Sequence, residues 1–280
     1  MSMTTISHIL ITGCSSGIGY HCAKTLHQHD YRVVASCRRK EDTLRLREQG
    51  LNAVTLDLAC SDSIEQGYAQ ALEQLGGRID ALFNNGAYGQ TGALEDLSTN
   101  ALRAQFENNF FGWHHLIRLV LPLMLNQQRG RIIQNSSVLG LAALRYRGAY
   151  CASKFALEGY TDTLRLELSD TPIKVCLIEP GPINSRFRAN AKQVFLNTIA
   201  WQTSRHRDNY QATLTRLGSD QPPSRHTLEP DAIADCLLDA LRSATPKTRY
   251  YVTRPTKLVA IARRILSTKA LDRLLLKGGA

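Results

Sequence analysis

Short runs of apolar and β-branched residues alternate along this chain with stretches in which apolar positions recur every three or four residues. The runs predict strands at Ile9–Thr12, Arg32–Cys37, Ala53–Leu58, Ala81–Asn85, Arg131–Ser137, Lys174–Glu179 and Arg249–Thr253, most of them bounded by Gly, Asn, Asp or Pro. The periodic stretches predict helices over 17–29, 40–49, 62–75, 99–127, 148–170 and 230–243. Alternation of this kind, with no repeat along the chain, implies an α/β fold: a parallel sheet of seven strands with helices on both faces. Right-handed crossovers make it doubly wound, of the Rossmann type, with its ligand crevice at the carboxyl ends of the strands. One domain over 1–280 accommodates all of these elements.

Residues 182–226 break the rhythm with about 45 residues that form no obvious strand, far more than an ordinary connection. An insertion of this length is expected to be a lid over a ligand. Its apolar side chains, Phe187, Val194, Phe195, Ile199, Trp201 and Tyr210, suit either packing onto the domain or lining a pocket.

With 43% hydrophobic and 21% charged residues, the composition excludes a disordered chain, a collagen and a coiled coil. The formal net charge of +10 suggests an anionic partner, but its distribution narrows the choice. Residues 1–185 hold 17 basic and 17 acidic side chains, whereas 186–226 hold 7 and 2, and 247–280 hold 9 and 1. The excess therefore lies in the lid and the tail, which speaks against nucleic acid. Seven scattered cysteines without a C-x-x-C pair indicate neither a disulfide framework nor a zinc site, and no metal is expected. The N-terminus lacks a secretory pattern, and the apolar stretch 116–125 is interrupted by Arg118 and Pro122. A cytoplasmic protein is the expectation.

Directly after the first strand comes Thr12-Gly13-Cys14-Ser15-Ser16-Gly17-Ile18-Gly19, leading into a helix. Glycines in such a turn let backbone approach a pyrophosphate, which the N–H groups of the helix N-terminus stabilise. The second strand ends in Cys37 where an NAD site would place an acidic residue. Arg38 and Arg39 follow, and guanidinium groups there can clamp the 2′-phosphate of NADP(H). Asp57 is a candidate for the adenine amino group, with a helix N-cap role as the competing reading. Tyr150 and Lys154 stand four residues apart on one helix face, just beyond the strand that ends in Ser136 and Ser137. Cys151 beside them invites a redox reading, although no partner cysteine is near in sequence.

Together these residues resemble the short-chain dehydrogenase/reductase family, over at least residues 8–185. The resemblance rests on T-G-x-x-x-G-I-G at 12–19, Asn-Asn at 84–85, N-x-x-G at 109–112, a serine thirteen residues before the tyrosine, Y-x-x-x-K at 150–154 and P-G-P-I at 180–183. It implies a catalytic tetrad of Asn109, Ser137, Tyr150 and Lys154, with Tyr150 donating the proton in carbonyl reduction. Lys154 would lower the phenol pKa and bind ribose hydroxyls, Ser137 would orient the carbonyl, and Asn109 would hold a water in a proton relay. It further implies cofactor contacts from Gly13, Ser15, Ser16, Gly17, Ile18, Gly19, Asn85, Pro180, Gly181 and Ile183. Two departures stand out: Gly86-Ala87 reverses the family's usual Ala-Gly, and Ser185 replaces a threonine expected to bond the nicotinamide amide. Homodimers or homotetramers are common in the family.

Within the family the pattern is closest in kind to the 17β-hydroxysteroid and retinol dehydrogenases and related bacterial aldehyde or ketone reductases. An apolar aldehyde, ketone or alcohol is the implied substrate, and a non-catalytic NADP-sensing or lipid-binding module is the alternative. The tail 255–277 interleaves Leu258, Ile261, Ile265, Leu266, Leu271, Leu274 and Leu275 with Arg263, Arg264, Lys269, Arg273 and Lys277. This interrupted amphipathic pattern suits packing beside the substrate entrance or peripheral contact with an anionic membrane surface.

Overall fold

The computed structural model describes residues 6–278 apart from 220, 222 and 223, with side chains as far as Leu276; the side chain of Lys277 lies outside the described residues. Seven strands, β1 (His8–Ile11), β2 (Arg32–Cys37), β3 (Asn52–Thr55), β4 (Ala81–Asn84), β5 (Gly130–Asn135), β6 (Ile173–Glu179) and β7 (Arg249–Tyr251), form one parallel sheet in the order 3-2-1-4-5-6-7. The order reverses between β1 and β4, where Ile9 pairs with Ala81 and Ile11 with Phe83, and a reversal of this kind opens a crevice at the strand ends.

Helices α1 (Gly17–Gln28), α2 (Lys40–Glu48) and α3 (Ser61–Gln74) follow the first three strands. They are succeeded by α4 (Thr99–Phe106), α5 (Gly112–Asn126), α6 (Gly148–Glu167), α7 (Phe187–Thr198), α8 (Arg207–Leu217), α9 (Asp231–Arg242), α10 (Arg254–Ile265) and α11 (Thr268–Gly278). No helix among the described residues is long and apolar enough to cross a membrane. One face of the sheet packs on α1 and α9 through Ile9, Ile11, Val33, Leu26 and Leu237, the other on α3, α5 and α6 through Leu10, Val34, Ile132, Ile64 and Leu157. Strands buried on both faces read as continuous apolar runs, which is why they stand out in the sequence.

Two expectations are adjusted and the insertion is filled in. Pairing in the first, third, fourth, fifth and seventh strands stops one to three residues short of the expected ends, because the chain leaves the sheet there to build the crevice. The single helix expected over 99–127 is two, joined by a π-helical turn at Glu107–Phe111; such turns recur at functional sites. The insertion 182–226 contains α7 and α8. Of its apolar side chains, Phe195, Ile199 and Tyr210 form a small core of their own with Ala93, Leu97 and Tyr146, so packing accounts for these three.

One buried ionic cluster ties β7 to the centre of the molecule. Arg249 Nη1 bonds both Glu158 of α6 and Glu179 of β6, while Nη2 reaches Asp162 at 2.7 Å. Glu158 also accepts the Ser136 hydroxyl. Burial and the neighbouring Glu158 charge push the Glu179 pKa up, against the pull of Arg249.

Two stability predictions follow from this packing. In α5, a Cβ on Gly112 would collide with the Leu58 carbonyl, whereas exposed Gly159 in α6 has open space around it. Gly112→Ala should therefore lose about 2 kcal/mol and Gly159→Ala gain about 0.5–1 kcal/mol in urea unfolding; equal effects would contradict the close approach of α5 to the end of β3. Arg249→Met strands carboxylates without their cation and should cost about 3–5 kcal/mol at a pH above the Glu179 pKa of about 8. A carboxyl with a raised native pKa holds its proton more tightly in the folded state, so its stabilising effect is present at low pH and fades as pH rises through the native value. The gap between variant and wild type should accordingly narrow toward pH 5 as Glu179 takes up its proton, and a pH-independent gap would show that the cluster's charge is not what matters.

Candidate active site

At the end of β1 the chain turns between β2 and β4 before entering α1. Thr12 Oγ1 accepts the backbone N–H groups of Asn85 and Gly86, each at 2.9 Å, and Cys14 N–H donates to the Ser36 carbonyl at 2.8 Å. The turn is thus pinned from both neighbouring strands. Gly13 (φ +72°) and Gly17 (φ +59°) adopt the left-handed conformation that glycine reaches without penalty. A Cβ on Gly13 would collide with Gly86, and one on Gly19 with the Gly13 carbonyl. Ser15, Ser16 and Ile18 are half-buried in the same turn. Ser16 precedes α1 without capping it, and the first helical turn carries no acidic residue. Its N–H groups are therefore left available to an anion.

Arg38 and Arg39 leave the end of β2 exposed to solvent. They are not equivalent: Arg39 is held by Asp42 at 3.0 Å, whereas Arg38 has no salt bridge among the described residues. Arg45, which the sequence did not single out, reaches back from α2 to the Ser15 carbonyl at 2.7 Å and braces the glycine turn. Asp57 Oδ1 accepts the Ala59 N–H at 3.0 Å. It shapes the approach to α3 without capping it, since the N-cap residue is Cys60.

On α6, Tyr150 and Lys154 face the crevice from one helix side, and Lys154 is only 1% exposed. Its Nζ donates to the Asn135 carbonyl at 2.7 Å and lies 4.5 Å from the Trp113 ring centre and 5.7 Å from that of Tyr150. Burial lowers the Lys154 pKa to about 7, against the opposing charge of Glu158. Asn135 Nδ2 donates to Asn85 Oδ1 at 2.8 Å, and Asn85 Nδ2 donates to the carbonyls of Thr12 and Gly13 at 3.0 and 3.3 Å. A continuous hydrogen-bonded line therefore runs from the glycine turn to Lys154, and both polar ends of the Asn85 side chain are used within it. Trp113 is fixed by its own bond to the Gly86 carbonyl at 2.8 Å. Asn135 and Trp113 carry no motif that would have marked them in the sequence. Asn135 Oδ1 is buried without a protein partner.

Tyr150 is 8% exposed. Burial pushes its phenol above the ordinary value, with the Ser137 hydroxyl as the largest opposing influence. Ser137 Oγ accepts the Leu139 N–H at 3.1 Å, while Ser136 turns away to Glu158; the two adjacent serines are thereby distinguished. Asn109, in the π-helical turn, exchanges two hydrogen bonds with the Tyr88 backbone, at 2.9 and 3.2 Å, so its amide anchors the loop after β4.

From the opposite wall, the Pro180 carbonyl accepts the Val138 N–H at 2.8 Å. Gly181 fits beneath Thr253 and Thr256 with no room for a Cβ. Ile183 forms a bridge with Leu228. Ser185 Cβ lies 3.1 Å from where a Cβ on Gly17 would stand, so the loop after β6 closes over the start of α1. Phe187 meets the Tyr150 ring edge to face, with centroids 5.4 Å apart. Cys151 is buried and burial raises its pKa, the opposite of what a reactive thiol needs.

The short chain dehydrogenase family model matches residues 7–194. Over 267 residues the chain is 38% identical to the oxidoreductase YbbO of Escherichia coli (strain K12), covering 95% of this chain and 93% of that protein. It is 36% identical over 271 residues to retinol dehydrogenase 8 of Bos taurus, covering 90% and 84%. Among solved structures, a short chain dehydrogenase/reductase from Burkholderia phymatum in complex with NAD has a TM-score of 0.76 at 24% identity, covering 95% and 94%. A short chain dehydrogenase from Burkholderia cenocepacia in complex with NADP has a TM-score of 0.74 at 23% identity, covering 98% and 99%; at these identities the likeness speaks for the fold. With the family's model spanning most of the sheet and these relatives spanning nearly the whole chain, the protein belongs to the short-chain dehydrogenase/reductase family of oxidoreductases.

Proposed function

We propose that the protein is an NADP(H)-dependent carbonyl reductase or alcohol dehydrogenase acting on apolar aldehydes and ketones, or the corresponding alcohols, of steroid-, retinoid- or long-chain-aldehyde-like character. The observation that carries the reading is the hydrogen-bonded line from Gly13 through Asn85 and Asn135 to Lys154, which couples an anion-binding turn to a buried ammonium beside Tyr150. The uncapped α1 terminus, the orphaned Asn135 Oδ1 and the unpaired-in-salt-bridges Arg38 all fit a phosphorylated dinucleotide. Bound there, NADP(H) supplies a nicotinamide able to exchange hydride with a carbonyl carbon.

The glycine turn, with Ser15, Ser16 and Ile18, would hold the pyrophosphate. Arg38 would take the 2′-phosphate, with Arg39 restrained by Asp42, and Asp57 would face the adenine. Lys154 would bond ribose hydroxyls, Asn135 would accept one, and Ser185 with the Pro180–Ile183 loop would line the nicotinamide side. Ser137 would orient the substrate carbonyl, and Tyr150 would give its proton to the oxygen as negative charge develops there. A phenol held protonated by burial is suited to that donor role. The Phe187 ring against Tyr150 supports an apolar substrate at the reacting end.

Tyr150→Phe should lower kcat by about 10²–10⁴-fold while NADPH binding, followed by nucleotide fluorescence, is retained; full turnover in the variant would refute the proton-donor assignment. Arg38→Ala should raise the KM for NADPH about tenfold or more with little effect on NADH, and Arg39→Ala should do less. A wild type that prefers NADH would overturn the cofactor assignment.

A further inference from the structure

Exposed large apolar side chains are concentrated in the tail, which holds six of the thirteen found among the described residues. In α10, Leu258, Ile261 and Ile265 are 67%, 56% and 75% exposed, whereas the buried positions are Thr256 and Ala260. At about 100° per residue, the three aliphatic side chains form a stripe on the side of the helix opposite its docked face. The helix is firmly seated: Thr253 caps it and bonds Thr256 at 2.9 Å under Gly181, and Arg263 reaches the Gly140 carbonyl at 3.3 Å and lies 5.0 Å from the Phe155 ring centre. A large apolar stripe displayed outward by a fixed helix asks for a partner. α11 follows α10 after two residues, and it too leaves Leu274 and Leu276 exposed.

The charge around the stripe identifies the partner. Residues 254–278 contain seven Lys or Arg against one acidic residue, Asp272. Lys257 and Arg264 flank the stripe and are exposed. A second copy of the chain would bring two such basic surfaces together, and a purely apolar partner would leave the cations uncompensated. An anionic bilayer surface answers both features, taking the aliphatic side chains below its headgroups and the cations among them.

We propose that α10 and α11 form a docking surface for anionic lipid bilayers, on which the enzyme lies peripherally. α10 is bonded to the segment after Ser137 and packed over Gly181, so a bilayer on its outer face would lie one helix away from the candidate active site, within reach of an apolar substrate dissolved in it. The route of substrate entry rests on the apolar-carbonyl reading; bilayer binding does not, and it is measured without turnover.

The test is flotation of the full-length protein with vesicles of phosphatidylcholine alone and of phosphatidylcholine mixed with phosphatidylglycerol, at low and high salt. Wild type should float with the mixed vesicles at low salt and be released by salt. Ile261→Ser/Ile265→Ser should weaken partitioning about tenfold or more, and Lys257→Glu/Arg264→Glu should abolish the preference for anionic lipid. Both double variants should keep wild-type turnover of a water-soluble aldehyde with NADPH, which shows them folded. Failure of the wild type to float with anionic vesicles overturns the proposal. So does flotation unaffected by either double variant, or a fall in oligomer mass by light scattering in Ile261→Ser/Ile265→Ser with no vesicle binding by wild type, which would assign the stripe to a second copy.

Discussion

A lysine ammonium buried at the centre of the molecule is the interaction on which the rest of the crevice depends. Cations are tolerated in such places only where oriented dipoles, aromatic faces and a counter-charge surround them. Around Lys154 these come from the Asn135 carbonyl, the Trp113 ring and Glu158, one helical turn further on. Each is held in turn by something else: Asn135 by Asn85, Trp113 by Gly86, and Glu158 by Ser136 and Arg249. Satisfying one charge thus sets the relative positions of β5, α5, α6, β7 and the glycine turn, all of which border the site.

The same economy of parts governs the walls. Tyr210 of α8 accepts the Ala93 N–H at 2.8 Å and donates to Asp96 at 2.5 Å, and Gln90 bonds Thr198 of α7 at 2.8 Å. The insertion after β6 is therefore attached to the segment after β4 on the other side of the crevice, and Phe187 is delivered against Tyr150 by a braced element. The positive charge has a corresponding division. The balanced first 185 residues carry six of the seven strands and most of the candidate site, while the basic excess belongs to the insertion and the outward-facing tail.

Much of this was legible from the chain. Strands buried on both faces announced themselves as apolar runs, and the glycine turn and the Tyr150–Lys154 pair occupy a few consecutive residues each. The π-helical turn was not legible, because the apolar period runs on through it; Asn109 within it bonds the backbone of Tyr88, 21 residues away. Nor was the distinction between Arg38 and Arg39, neighbours of identical type told apart only by what stands opposite them, here Asp42; Ser137 was set apart from Ser136 by its thirteen-residue spacing from Tyr150 in the family pattern, and the structure adds that Ser136 turns to Glu158.

By itself, then, the sequence determined the doubly wound sheet, the glycine turn and membership of the oxidoreductase family, since helical and strand periods and short motifs are properties of adjacent residues. Tertiary structure alone decided which distant side chains brace the crevice and its walls. Asn135 and Asn85 are 50 residues apart, Arg249 and Glu158 91, and Tyr210 and Asp96 114. Pairings over such separations leave no periodic trace, because burial compensates each polar group with whatever partner the fold brings within reach. The outward stripe of α10 was decided in the same way: the amphipathic pattern was present in the chain, but only the docking of Thr256 and Ala260 set which face was left to solvent.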